Sequence, residues 1–236
     1  MNKHLELSPR LRMVADLVPK GARLADVGTD HAYLPAALIL EGVIPSAIAA
    51  DLRQGPLNRA KSTVQECGLT DRVAFRLCDG LCGIHPEEVE AVVIAGMGGE
   101  TISAILAAAR WTRERDIPLV LQPMSSLSDL RFWLAKNGYR ILTEPLAREG
   151  DTLYAALSVR AGEMEPLTPA ELWAGKNRLQ PLRGIWLDRW LEKTKRALDG
   201  LAQARQEDGV AQRRALLEKV RAGLLEMKEE LEAWQR

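Results

Sequence analysis

The segment 23–34, R-L-A-D-V-G-T-D-H-A-Y-L, constrains this chain more than any other. An apolar run through Leu24 and Val27 carries one acid, Asp26, and stops at Gly28, and a helix-like stretch opens within a few residues. A buried strand that delivers an acid and a glycine to its carboxyl end, facing the next helix N-terminus, is how a parallel sheet presents a nucleoside ligand. Asp30 and Ala32 stand where a glycine-rich cofactor loop would carry further glycines. Such a loop is poorly suited to wrap a pyrophosphate, which points away from NAD and towards S-adenosylmethionine.

The pattern around this segment is alternation. Ser8-Pro9 reads as an N-cap with proline at the first helical position, and Leu11, Val14, Ala15 and Val18 follow at helical spacing. Strands are predicted at 24–27, 47–50, 73–77, 91–95 and 119–122, with helices at 32–41, 57–66, 101–109 and 127–137. Strands and helices of this length in alternation imply a parallel sheet with helices on both faces. After Gly138 two strand-like segments, 139–143 and 152–159, are joined by the turn-rich Arg148-Glu149-Gly150-Asp151. A hairpin cannot join parallel neighbours, so one of the pair is expected to run antiparallel at the sheet edge. The expected fold is therefore α/β: a class I (Rossmann-like) methyltransferase sheet of seven strands, mostly parallel, with an antiparallel terminal hairpin.

Two domains are expected, 1–161 for the sheet and 162–236 for a helical remainder. Thr168-Pro169-Ala170-Glu171 is a capping-box pattern that starts a helix. Leu187, Leu191, Thr194, Leu198 and Leu201 recur in alternating four- and three-residue steps. Residues 205–209 break the pattern, and Leu217, Val220, Leu224, Met227, Leu231 and Trp234 resume it. This predicts an antiparallel, coiled-coil-like helical hairpin. Trp173, Trp186, Trp190 and Trp234 are expected to fasten it to itself and to the sheet domain.

Net charge is zero over 236 residues, so any nucleic-acid contact must come from local basic patches. The first nine residues lack the apolar stretch of a secretory leader, and no segment approaches about 18 uninterrupted apolar residues. A cytoplasmic protein without membrane contact is expected. Cys67, Cys78 and Cys82 are too few and too clustered for a disulfide framework. Cys78, Cys82 and His85 lack a fourth ligand and knuckle spacing, so no metal is expected.

The candidate cofactor residues lie at successive strand ends. Asp26 and Gly28 close the first strand, with Thr29 and His31 in the same loop. Asp51 closes the second and is placed to accept both ribose hydroxyls. Asp79 beside Gly80 suits the adenine amine, with Leu81 offering a main-chain N–H. Gly96-Met97-Gly98-Gly99 strips side chains where something approaches the backbone closely, and Met97 is either core filler or a soft wall for a base. Asp30 and His31 are the polar side chains best placed to face the transferred group, Asp30 as the catalytic candidate. His31 reads equally well as a helix cap, and Tyr33 either stacks on a ligand or packs.

The segments LSPRL, ADVGTDHAYLP, IAADLRQGP, CDGL, IAGMGGETI and LQPM, in this order and spacing, resemble the bacterial TrmK family of tRNA (adenine-22-N1)-methyltransferases. The resemblance runs nearly end to end. It implies S-adenosylmethionine as cofactor, adenine 22 in the D-loop region of tRNA as substrate and 1-methyladenosine as product. Family members generally carry glutamate where this chain has Asp51, and often asparagine where it has Met124. No N-P-P-[YFW] motif follows the fourth strand, which favours a ring nitrogen over the exocyclic amine as target. An acceptor on that amine is expected from Asp30 or from main-chain carbonyls around Ala95 and Gly96. Tyr33, Met97 and Met124 are candidates for cradling an extruded base. Arg10 and Arg12, with Lys3, Lys20 and Arg23, form a basic cluster for RNA. A second cluster comprises Arg189, Lys193, Lys195, Arg196, Arg213, Arg214, Lys219 and Arg221. The expected partner is tRNA, and a monomer is favoured. The competing expectations are a class I methyltransferase of another RNA position or of a small molecule, and a non-catalytic RNA-binding scaffold.

Overall fold

The computed structural model describes residues 5–177, 180–203 and 209–234. Lys3 of the expected basic cluster and residues 205–208 of the expected helix break lie outside the described residues. Helix α1 (Pro9–Ala15) starts as its sequence predicts, with the Leu11 amide donating to Ser8 Oγ at 3.4 Å. The sheet is built outward from β1 (Leu24–Val27), which pairs in parallel with β2 (Ala47–Asp51) on one side and β4 (Ala91–Gly98) on the other. Strand β3 (Val73–Leu77) lies beyond β2, and β5 (Leu119–Ser125) beyond β4, both parallel. Every residue of β1 and β2 is buried, as parallel strands covered on both faces require.

Helices α2 (Tyr33–Leu40) and α3 (Gln54–Glu66) join α1 on one face, where Leu34, Leu38, Ala60 and Val64 form a core. Helix α4 (Gly99–Ala108), the short α5 (Trp111–Glu114) and α6 (Leu127–Lys136) cover the other face with Ile102, Leu106, Leu130 and Leu134. Strand order turns back at β1 and β4, so the crevice at their carboxyl ends is the switch point at which doubly wound sheets bind ligands.

The end of the sheet corrects one expectation. The 152–159 segment is two strands, β8 (Thr152–Ala155) and β9 (Leu157–Ala161). Strand β8 pairs with β7 (Leu146–Glu149) in a separate two-stranded antiparallel ribbon. Strand β9 inserts between β5 and β6 (Tyr139–Thr143), antiparallel to both, giving a seven-stranded order of β3-β2-β1-β4-β5-β9-β6. The antiparallel strand therefore lies one place inside the edge, and β6 is the edge. Apolar content decides the slot: Leu157 and Val159 of β9 are fully buried, whereas Arg140 and Leu142 of β6 alternate with inward residues and face out.

Helix α7 (Pro169–Ala174) has both halves of the predicted capping box. The helices α8 (Arg183–Gln203) and α9 (Val210–Trp234) pack as an antiparallel pair, with Gly184 facing Leu231 and Lys228 reaching Asp188. Leu187, Thr194, Leu217, Val220 and Leu224 are buried between and beneath them. Their core is continuous with Leu153 and Ala155 of β8. The joint to the sheet is a buried ion pair: Arg131 on α6 donates to Glu144 at 2.6 Å and to the Leu172 and Trp173 carbonyls of α7 at 2.8 and 3.0 Å. Trp190 meets Trp173 and Trp186 edge-on with ring centres 5.2 and 5.5 Å apart. Trp234, expected to fasten the hairpin, is 71% exposed, because it sits in the last turn of α9 where no further element among the described residues covers it.

Candidate active site

The carboxyl ends of β1 to β4 bring Asp26, Asp51, Asp79 and Gly96 to one edge of the sheet. Asp26 is buried, and Thr29 Oγ1 donates to its Oδ2 at 2.6 Å. Burial, reinforced by the nearby Asp51 charge, pushes the Asp26 carboxyl up to about 6 despite the Thr29 hydrogen bond. Two buried acids at neighbouring strand ends favour a cationic or hydroxyl-rich ligand. Asp51 is also buried, and one of its oxygens accepts the Arg53 amide, two residues further along the chain, at 2.8 Å.

The loop after β1 has an unusual backbone. Gly28, Asp30 and Ala32 all adopt positive φ, at 76°, 43° and 55°. The two positions where the sequence lacks expected glycines thus keep a glycine-like conformation, at a cost of roughly 1–2 kcal/mol each. Gly28 has no room for a side chain, since an added Cβ would collide with Met97 Cε. Asp30 is paired with Arg59 of α3, a residue the sequence reading missed. His31 Nε2 lies 3.7 Å from the other Asp30 oxygen, and its ring stacks on Tyr33 with centres 5.0 Å apart and planes 8° from parallel. Tyr33 is 43% exposed, so the stacked pair presents a flat face to solvent.

Asp79 and Leu81 line a groove of about 780 Å³ with Ile84, Thr101 and Ile105. Gly80, at φ +55°, lies against Ile105, which closes the groove's inner wall. The glycines at the end of β4 serve separate purposes. Gly99 admits the Ser126 carbonyl where an added Cβ would clash, so the close approach there is made by the protein itself. Gly96, at φ +79°, is turned out of the ladder at a register shift between Ala95 and Met97.

The two arginines expected to contact RNA part company. Arg12 is held at the C-terminal cap of α2 by both oxygens of Glu41, at 2.9 and 2.5 Å. Arg10 instead reaches the strand ends: its Nη1 donates to Gln122 Oε1 at 2.8 Å, and its guanidinium carbon lies 5.7 Å from the centre of the Tyr154 ring. Its amide donates to Glu149 at 2.7 Å. Gln122 Oε1 also accepts the Gly96 amide at 3.2 Å, and Met124 is 52% exposed at the adjacent end of β5. The sequence reading missed Gln122, Glu149 and Tyr154. Gln122 left one signal, a lone polar residue in an apolar strand; the other two left none.

Of the basic residues on the helical hairpin, Arg196 and Arg214 pair with Glu192 and Glu218 on their own helices, Arg189 reaches the Asp151 carbonyl, and Lys193 sits over Trp190. Lys195, Arg213, Lys219 and Arg221 are exposed.

A sheet wound about β1, one penultimate antiparallel strand and acids at successive strand ends define a class I, S-adenosylmethionine-dependent methyltransferase, and the methyltransferase-domain family matches residues 7–157. The tRNA (adenine(22)-N(1))-methyltransferase of Bacillus subtilis strain 168 is 34% identical over 208 residues, covering 85% of this chain and 87% of that protein. Streptococcus pneumoniae Sp1610 in complex with S-adenosyl-L-methionine superposes with a TM-score of 0.81 at 32% identity, covering 94% of this chain and 100% of that one. Mycoplasma capricolum TrmK in complex with S-adenosyl-homocysteine gives 0.81 at 26% identity, with 92% and 97% covered. The chain belongs to the tRNA (adenine(22)-N(1))-methyltransferase family.

The residues present fit that cofactor. Gly28 clears the approach to the β1 end, Asp26 and Asp51 supply buried carboxylates, and the groove beside Asp79 and Leu81 offers a mostly apolar wall for a purine. No helix among the described residues is long and apolar enough to cross a membrane.

Proposed function

We propose that this enzyme transfers a methyl group from S-adenosylmethionine to N1 of adenine 22 in the D-loop region of tRNA, giving 1-methyladenosine. The observation that carries this reading is the joining of an acid-rich cofactor edge, at Asp26 and Asp51, to a second polar cluster at Arg10, Gly96 and Gln122 across one switch point. An unmodified tRNA acceptor puts the action in the cytoplasm, and the chain acts as a monomer.

Bound cofactor supplies a sulfonium methyl already activated for transfer. Adenine N1 keeps a free lone pair at neutral pH, so the chain needs no general base, and its residues act by positioning. Holding N1 in line can supply roughly 7 to 11 kcal/mol in favourable cases. Asp26, Gly28, Thr29, His31, Asp51, Asp79, Gly80, Leu81, Gly96 and Met97 are assigned to the cofactor. Asp30, anchored by Arg59, places negative charge beside the base as it becomes cationic. The His31–Tyr33 face and Met124 flank the extruded adenine, and Arg10 lies at the rim. Arg12 joins the RNA path only by leaving Glu41, and Lys195, Arg213, Lys219 and Arg221 extend that path along the hairpin.

The test is transfer of labelled methyl to an unmodified tRNA bearing A22, against the same transcript bearing G22, followed by nucleoside analysis. Label in 1-methyladenosine with A22 alone is the expected result. Label elsewhere, or on G22, would overturn the assignment of base and atom. The hairpin's share is read by reversing the charge of Lys195, Lys219 and Arg221 together, not by truncation, because removing α8 and α9 would bare Leu153 and Ala155. Weaker tRNA binding with unchanged cofactor binding is expected; unchanged tRNA binding would make the hairpin structural.

A further inference from the structure

We propose that Gln122 is the positioning residue for the target base: it aims the Ala95 carbonyl into the switch-point crevice, where that oxygen accepts the exocyclic amine beside N1. This rests on the adenine-N1 reading above.

Gln122 is fully buried in the middle of β5, directly opposite Ala95 in the ladder. Both ends of its side chain are engaged. Oε1 accepts the Gly96 amide at 3.2 Å and Arg10 Nη1 at 2.8 Å, while Nε2 donates to the Pro123 carbonyl at 3.0 Å and lies 3.6 Å from Met124 Sδ. Two donors meet on the oxygen and one carbonyl on the nitrogen, so a flipped amide would set N–H groups against N–H groups. Arg10, braced over Tyr154, thereby fixes which way the amide of Gln122 faces.

That orientation passes to the backbone. In a trans peptide the N–H and the preceding C=O point to opposite sides. With the Gly96 N–H turned to β5, the Ala95 carbonyl turns towards the β1 side. Strand β1 has ended there: its pairing with β4 stops at Val27 and Ile94, and the Gly28 and Thr29 amides both bend away to the Ala50 carbonyl of β2. The Ala95 oxygen therefore looks over the crevice where Gly28 leaves the sheet. Gly96, at φ +79° beside a register shift, permits the turned peptide.

A fixed carbonyl next to N1 selects a base bearing an amine there. A base with an oxo group would oppose two oxygens and carry a proton on its N1. The amine becomes a better donor as positive charge develops on the ring, so the contact is stronger in the transition state than in the bound substrate.

The experiment compares wild type, Gln122→Leu and Gln122→Glu on tRNA transcripts carrying adenosine or purine riboside, which lacks the amine, at position 22. Cofactor binding is measured for each by calorimetry. Gln122→Leu should lose about ten- to a hundredfold in kcat/KM on adenosine, mostly in kcat, and little on purine riboside. Its preference between the two then falls below that of wild type by that factor. Gln122→Glu keeps an acceptor for both donors and should retain most of the preference, and cofactor affinity should stay within about twofold throughout. If the Leu variant does not fold, Arg10→Met reads the same ratio and should lower it less. A preference that survives in Gln122→Leu would assign the amine to another acceptor, and equal loss on both transcripts would make Gln122 merely structural; either overturns the proposal. Wild type inert on A22 despite binding cofactor would instead overturn the reading on which the proposal rests.

Discussion

The two sides of the crevice are assembled differently. On the proposed cofactor side, Asp26, Gly28, Asp51 and Asp79 arrive in chain order at the ends of consecutive strands, and the short loops after those strands do the placing. On the proposed base-facing side, Arg10 bonds Gln122 and Glu149, 112 and 139 residues away. The first arrangement is local geometry repeated along a sheet; the second exists only once α1, β5 and the β7–β8 ribbon have packed. Damage to the first should therefore appear in cofactor affinity, and damage to the second in turnover on tRNA with cofactor affinity kept.

Gly28→Val should break the cofactor side most severely. It forces a β-branched residue to φ +76° and into Met97, so S-adenosylmethionine affinity measured by calorimetry should fall by more than about a hundredfold. Unchanged affinity would dissociate the β1 loop from the cofactor.

Asp26 sharpens the contrast through pH. Its folded-state carboxyl titrates near 6, above the ordinary 3.8, so the folded chain holds this proton more tightly than the unfolded chain. The stability it contributes is full below 3.8 and is lost as pH rises through about 6. In the ligand-free protein Asp26→Asn should therefore raise unfolding free energy at pH 8 by about 1–3 kcal/mol, read by urea titration. Affinity for the cationic cofactor runs the other way. It should fall up to about tenfold per unit below pH 6, and the Asn variant should bind weakly with a flat profile.

Tyr154→Leu addresses the base-facing side. Removing the ring under Arg10 should lower kcat/KM on tRNA by about two- to fivefold, with cofactor affinity unchanged. An equal loss in both would merge the two sides into one unit. The smallest effect is expected from Ala32→Gly, which relieves the backbone at φ +55° but gives up a buried methyl. Its unfolding free energy should stay within about 1 kcal/mol of wild type.

The sequence by itself determined the order of strands and helices through β6 apart from the short α5, the acids and glycines at the strand ends, and the capping of α1 and α7. Those features depend on residues close together in the chain, where periodicity, caps and turn chemistry act directly. Tertiary structure decided the rest. It divided 152–159 between two sheets and put the more apolar half inside the edge. It drew Arg12 away to Glu41 and left Trp234 uncovered at the end of α9. Above all it brought Arg10, Gln122, Glu149 and Tyr154 together. A polar side chain's partners depend on which distant segment packs beside it, and no local pattern records that choice.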